Sequence, residues 1–350
     1  MKRHIVFWLS FALAVSLLFG CMGPIAPSPE PPAPGEPDSI DYSLVGTANY
    51  VPLQPEEDPY PLFVGARWIY RNAAVYWNPQ ISLSGLLESE VVAIVQGRGE
   101  QCYVLQTHYS NGPDELLYIH RTGREVMVRG SRWVAAPGAQ PSFSLNPGLA
   151  FLKLPLQEDQ TWEEPFRGGS VNARVFHREI VAIESGKVLT LLGDHPAIFS
   201  GAWRVHYDLF GSGPRLFGGP QQFLWFAPGI GVVKHVLNSV NYELAEFRKR
   251  NEVASLEEQD AETVAQIPSG GLVLVQLRGP SPDAEGPVWR MEESLEGNGV
   301  IELIDRDFYY DLDTASDAGT VVYRFRALAP GEVKLRFGGL NDLEYTVRVL

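Results

Sequence analysis

Several residues and patterns are scarce in this 350-residue chain, and each scarcity argues against a class of function. Basic residues fall short: 28 Lys and Arg stand against 42 Asp and Glu, a net charge of −14 at pH 7. Nucleic acid and anionic headgroups both need a basic face, so both are disfavoured as partners. Only two cysteines occur, Cys21 and Cys102, so no disulfide framework is expected. There is no Gly-x-Ser-x-Gly elbow and no Ser-x-x-Lys, which leaves hydrolase chemistry without a nucleophile. The histidines beyond the N-terminus (His108, His120, His177, His195, His206 and His235) show neither His-x-x-x-His nor Cys/His spacing. Each is expected to be a satisfied structural residue, with His206 and Asp208 placed to pair on one strand face. No metal, no cofactor and no catalytic residues are therefore expected, and the chain reads as a non-enzyme. A long helical period is missing too.

What the chain does have begins with a processing segment, residues 1–20. Lys2, Arg3 and His4 precede an uncharged run from Ile5 to Leu18, which is too short to span a bilayer comfortably and matches a signal core. It ends Leu18-Phe19-Gly20-Cys21, which resembles the bacterial lipobox, although Phe19 stands where a smaller residue is usual. The resemblance implies that Cys21 is lipidated. Two or three acyl chains hold a protein on a membrane far better than one. Cleavage would remove Lys2 and Arg3, leaving 26 basic against 42 acidic residues and a charge of −16. Cys102 would then have no disulfide partner. Its alternating surroundings, Gln101 to His108, make it a small buried apolar side chain.

Residues 21–42 read as a tether. Seven prolines lie between Gly23 and Asp41, a density that favours extended polyproline II over a packed core. About fifteen such residues would hold the folded part roughly 45 Å from the bilayer.

Residues 43–250 read as strands separated by turns: Arg67 to Trp77, Leu86 to Val95, Gln101 to Tyr109, Glu115 to His120, Glu125 to Val134, Asn172 to Glu184, Lys187 to Leu192 and Pro196 to Tyr207. That spacing predicts an all-β domain, a large antiparallel curled sheet or barrel. It closes on Gln221 to Val236, where Pro228-Gly229 suits the centre of a type II turn. Phe223 and Trp225 should face one way, Leu224 and Phe226 the other. Pro61-Leu62 stands seven residues before Trp68, and Pro155-Leu156 seven before Trp162, which fits a sheet of two similar halves. The loop from Phe210 to Pro220 lacks the Gly-Lys-Ser/Thr ending of a phosphate cradle. Its Phe210 and Phe217 are candidate ligand-binding residues at a sheet mouth.

The words Tyr60-Pro-Leu-Phe-Val-Gly-Ala-Arg-Trp68 and Trp225-Phe-Ala-Pro-Gly-Ile-Gly-Val-Val-Lys234 resemble the opening and closing signatures of an uncharacterised family of bacterial lipoproteins. The resemblance implies a sheet-rich extracytoplasmic domain and no particular activity. At the level of fold, such sheets resemble the curled half-barrels of lipoprotein carriers.

Residues 251–269 are charged and poor in large apolar side chains, which predicts a linker; Ser255 with Glu258 offers the caps of one short helix. From 270 to 350 some seven short strands suit an immunoglobulin-like β-sandwich. Gly279 to Trp289 and Tyr323 to Gly331 resemble the chagasin-like inhibitors of papain-type cysteine proteases. The resemblance implies an inhibitor-like loop at Pro282, Gly286 and Trp289. The family's other two loops correspond to Ser316-Asp-Ala-Gly319 and Gly338-Gly-Leu-Asn-Asp342, neither of which keeps the family's residues. Asp305, Asp307, Asp311, Asp313 and Asp317 crowd one stretch but lack calcium-loop spacing, and are expected to form a solvated acidic face.

The expected function is that of a membrane-anchored, extracytoplasmic, non-catalytic module. Acyl chains hold it to the membrane, and it binds an apolar ligand, a glycan or a protein. The alternative is cysteine protease inhibition by the C-terminal domain.

Overall fold

The computed structural model describes residues 49–51, 58–72, 86–97, 99–109, 114–134, 143–166, 174–183, 187–192, 195–210, 222–237, 240–284, 287–292, 299–312 and 318–350. Their regular structure is β apart from two 3-10 turns, so the expected all-β class holds. The strands are β1 (Asn49–Val51), β2 (Arg67–Asn72), β3 (Leu86–Gly97), β4 (Glu100–Tyr109), β5 (Asp114–Arg121), β6 (Glu125–Val134), β7 (Phe143–Lys153), β8 (Thr161–Phe166), β9 (Arg174–Ile183), β10 (Lys187–Leu192), β11 (His195–Ser200), β12 (Trp203–Phe210), β13 (Gln222–Ala227), β14 (Gly231–Leu237) and β15 (Val240–Arg248). The C-terminal part adds β16 (Val253–Glu257), β17 (Val264–Ile267), β18 (Leu272–Pro280), β19 (Arg290–Met291), β20 (Ile301–Tyr310), β21 (Ala318–Ala327), β22 (Gly331–Gly338) and β23 (Leu343–Val349).

The large sheet has the strand order β7-β6-β5-β4-β3-β2-β15-β14-β13-β12-β9-β8. It is made of two six-stranded meanders, one starting at β2 and one at β8. Trp68 is the second residue of β2 and Trp162 the second of β8, so the repeated Pro-Leu…Trp spacing marks the entry to each half. Of the two terminal strands, β8 was expected from the entry at Trp162 and β7 was not foreseen in the sequence; they contain Pro165 and Pro147. Proline cannot donate to a ladder, so an edge is the place where a sheet tolerates it. One expected strand, Pro196 to Tyr207, is two, because Gly201 takes φ +89° between β11 and β12.

Contacts divide the chain into two compact units. The first comprises Met1–Tyr60, Tyr70–Gly85 and Leu156–Ala245; the second comprises Pro61–Ile69, Leu86–Pro155 and Glu246–Leu350. In the first unit a small sheet of order β1-β11-β10 brings β10 against β14. Phe199, Phe226, Val233 and Leu244 are fully buried there. The β13–β14 hairpin turns as expected: Ile230 N–H donates to the Ala227 carbonyl at 3.0 Å, and Gly229 takes φ +77°, which a side chain would make costly. The opening and closing signature words meet here. The Tyr60 ring stands edge-on to Phe226 at 5.9 Å, and Gly229 N–H donates to the Asp58 carbonyl at 2.8 Å.

The second unit pairs β3 to β7 with a sandwich of two four-stranded sheets, β16-β18-β21-β20 and β17-β23-β22-β19. Val273, Val275, Leu277, Tyr323 and Phe325 from one sheet and Val333, Leu335, Phe337, Tyr345 and Val347 from the other fill its core. Residues 251–269 are therefore no linker: they supply β16 and β17, which run parallel to β18 and β23. Ser255 does not cap an α-helix either. It pairs with Leu274 in the ladder, and its hydroxyl accepts from Gln276 Nε2 at 3.0 Å. The strands 86–155 form one compact unit with this sandwich and not with the strands from 156 to 245, across the boundary expected near 250.

Candidate functional site

Most residues singled out in the sequence are structural. Trp289 is 1% exposed, so it is a core anchor and not a loop-tip residue. Its Nε1–H donates to the Arg278 carbonyl at 2.8 Å, and its own carbonyl accepts from the Tyr323 hydroxyl at 3.2 Å. A Cβ at Gly279 would lie 3.1 Å from the indole, so a side chain there would crowd it. Pro282 is half-buried in a turn; Gly286 lies outside the described residues. Phe210 ends β12, opposite Val175, and is not part of a loop; its side chain, Phe217 and Cys21 are likewise outside them. Cys102 is fully buried, as expected.

Within the second unit, polar side chains of the sandwich satisfy the backbone of β3. Gln276 Oε1 accepts from Ile94 N–H at 2.9 Å, and the Thr320 hydroxyl donates to the Ile94 carbonyl at 2.7 Å. Asp311 Oδ1 accepts from Gln96 N–H at 2.9 Å, and Leu312 N–H donates to the Gln96 carbonyl at 2.9 Å. An isolated sandwich would expose these groups; here they are used, and a buried amide left unmade is expensive.

The acidic stretch is correspondingly not a plain solvated face. Asp311 is 4% exposed and is neutralised by Arg278, whose Nη1 donates to it at 3.0 Å. Asp305 and Asp307 accept from Arg324 Nη1 at 2.8 and 2.6 Å, and Arg324 Nη2 donates to the Tyr309 hydroxyl at 2.8 Å. Asp313 and Asp317 lie outside the described residues. A second row of charges lies nearby in the chain of contacts: Arg248 holds Glu90 at 3.2 Å, and Arg67 holds Glu88 at 2.6 Å. Burial pushes the Glu90 carboxyl up, opposed by Arg248, Arg324 and Arg67.

Two further groups went unnoticed in the sequence. Glu115 on β5 is 1% exposed, and burial raises its pKa to about 7 against the help of the Tyr109 hydroxyl at 3.2 Å. It continues a cross-strand row with Thr107 and Ser89, whose hydroxyls are 3.1 Å apart. In the first unit, Arg204, Trp225, Lys234 and Glu243 form a row across β12 to β15. Lys234 lies over the Trp225 ring at 5.3 Å, and Glu243, pushed up by burial, accepts from Asn241 Nδ2 at 3.2 Å. His206 stacks on Phe223 with centroids 4.4 Å apart. Its register neighbours are Glu179 and Phe223; the side chain of Asp208, expected to pair with it, lies outside the described residues. The other histidines seen in detail are held as expected: His108 Nδ1 is 2.6 Å from Asp114, and His120 Nδ1 2.9 Å from the Gln101 carbonyl.

Among the described residues, a cavity of about 580 Å³ lies in the second unit, walled by Glu246, Phe247, Glu252, Leu272, Ile304 and Arg326. Volumes of roughly 300–1,000 Å³ suit small ligands. Phe247 is fixed from behind by stacking on Trp68 at 5.6 Å. Arg248 also lines it, but its guanidinium is committed to Glu90 and, at 3.3 Å, to the Gly65 carbonyl. The Arg326 guanidinium makes no hydrogen bond or ion pair among the described residues. The sequence hid this site because its wall joins segments far apart in the chain, from Glu246 to Arg326, with Glu252, Pro268 and Ser269 drawn from the stretch that reads as a linker. A smaller cavity of about 250 Å³ is lined by Gln96, Gln101, Gln259, Gln276, Arg278 and Thr320.

No family model matches the chain. No curated protein matches it. Solved structures similar to part of it include the cysteine protease inhibitor EhICP2 of Entamoeba histolytica, at 16% identity over 28% of this chain and 95% of that one, with a TM-score of 0.24. A protein of Bacteroides fragilis described as exported and YmcC-like in fold is similar at 14% identity over 54% of this chain and 98% of that one, TM-score 0.29. A lipoprotein of Parabacteroides distasonis is similar at 13% identity over 55% and 99%, TM-score 0.28. Scores of this size carry no inference about activity.

Proposed function

We propose that this chain is a non-catalytic lipoprotein, held on the extracytoplasmic side of a membrane by acyl chains on Cys21, that displays a ligand-binding β body. The observation that carries the reading is the N-terminal order of basic start, uncharged run, Leu-Phe-Gly-Cys and proline-rich tether. Each part has its own physical reason: export, acylation, then reach. The signature words support a display role, since Trp68 and Phe226 lie in strands of the sheet and Tyr60, Gly65 and Gly229 in the bends and turns beside them. Gly65 N–H, for example, donates to the Val91 carbonyl at 2.7 Å.

Cys21→Ala tests the tether. Expressed in a bacterial host, the parent should fractionate with membranes and the variant should be released or left uncleaved. A variant processed and retained like the parent would refute it.

A further inference from the structure

The cavity at Phe247 has a wall chemistry that selects among ligands. Phe247, Leu272 and Ile304 provide an apolar surface; Ile304 is 43% exposed, on β20 at the edge of its sheet. Arg326 sits on β21, between Leu272 and Glu302 in the ladders, with its guanidinium unengaged. Two carboxylates, Glu246 and Glu252, also line the cavity, the first within electrostatic reach of Arg67. Glu252 accepts only the backbone N–H of Lys249, at 3.0 Å, and Glu246 is exposed.

A fully apolar ligand would desolvate Arg326 without pairing it. A fatty acid or other simple anion would pair Arg326 but face both glutamates. A cation would reverse the problem. A ligand carrying both charges and an apolar side chain uses all three parts of the wall. We infer that the cavity binds a short peptide with free termini: its carboxylate on Arg326, its ammonium towards Glu246 and Glu252, and an apolar side chain against Phe247, Leu272 and Ile304. The inference rests on the binding-module reading and gives it a ligand class. Charge complementarity at the two ends supplies selectivity, and the apolar wall supplies most of the contact area.

The test is calorimetric titration of the full chain, reconstituted in lipid nanodiscs, with Leu-Leu-Leu, its N-acetyl form and its C-terminal amide. The free peptide should bind, and blocking either end should weaken binding by about tenfold or more, the scale of a charged hydrogen bond. Arg326→Gln should abolish discrimination against the amide while keeping that against the acetyl form; Glu246→Gln should do the reverse in part. Both residues are exposed, so thermal melting should be unchanged and folding is not in question. Equal affinity for free and blocked peptides, no binding of any peptide, or binding of glycerophosphoethanolamine alone would overturn the inference. Any of these results with membrane fractionation intact would leave the tethered-lipoprotein reading standing.

Discussion

The two meanders of the large sheet begin alike and are covered differently. Each opens with Pro-Leu and a tryptophan at the second strand position. Yet β2 lies inside the sheet order and β8 at its end. In the first meander, β3 is met by polar side chains, Gln276, Thr320 and Asp311, that satisfy its backbone. In the second, β14 is met by the small sheet through β10, over a core of Phe226, Val233 and Leu244. The first covering is directional and includes a buried charge, Asp311; the second lies beside the apolar side chains of Phe226, Val233 and Leu244. The same strand-turn grammar therefore supports two kinds of surface, and what packs on a strand decides which residues it carries.

The comparison predicts unequal tryptophans. Trp68→Ala should cost about 3–5 kcal/mol, because the indole is enclosed and stacked on Phe247. Trp162→Ala, on an edge strand, should cost less, about 2 kcal/mol. Urea denaturation of both variants measures the difference; equal losses would remove the distinction between interior and edge entries.

Next in size is a pair of opposed pH dependences. Burial takes Glu115 from 4.5 to about 7, so between those values the folded state holds a proton the unfolded chain has released, and stability falls as pH rises. Desolvation takes His235 from 6.5 to about 4, so in that window the unfolded chain binds the extra proton and stability rises with pH. Each effect reaches about 3 kcal/mol at most. They oppose each other where they overlap. Glu115→Gln should therefore leave a stability that climbs from pH 4.5 to 6.5, and His235→Gln one that declines from pH 4.5 to 7. Denaturation midpoints across that range check both signs.

The smallest expected effect probes the directional covering itself. Gln276→Leu leaves Ile94 N–H without its acceptor and should cost about 1–3 kcal/mol. A variant as stable as the parent would mean that water replaces the amide without loss.

Much of this fold was legible in the sequence. The β13–β14 turn followed from Pro228-Gly229, the two-half sheet from the spacing before Trp68 and Trp162, and the sandwich from its alternating runs. What stayed hidden has physical causes. Pro147 disguises the edge strand β7. β16 and β17 bury one side chain each, Leu256 and Ile267, so the apolar alternation that marks a strand is missing. The cavity was invisible because its wall joins Glu246, Leu272, Ile304 and Arg326, which are far apart in the chain. The polar contacts to β3 join residues up to 226 positions apart, as Thr320 and Ile94 are, and such pairings leave no local pattern.

The central claim is that this sandwich uses its loop bases and its tryptophan to build the second unit, and does not present them to a protease. Asp311 and Leu312, which follow β20, are bonded to Gln96, and Trp289 is buried. Titrating a papain-type cysteine protease with the whole protein tests this directly. The account predicts full protease activity at micromolar protein; stoichiometric inhibition would contradict it.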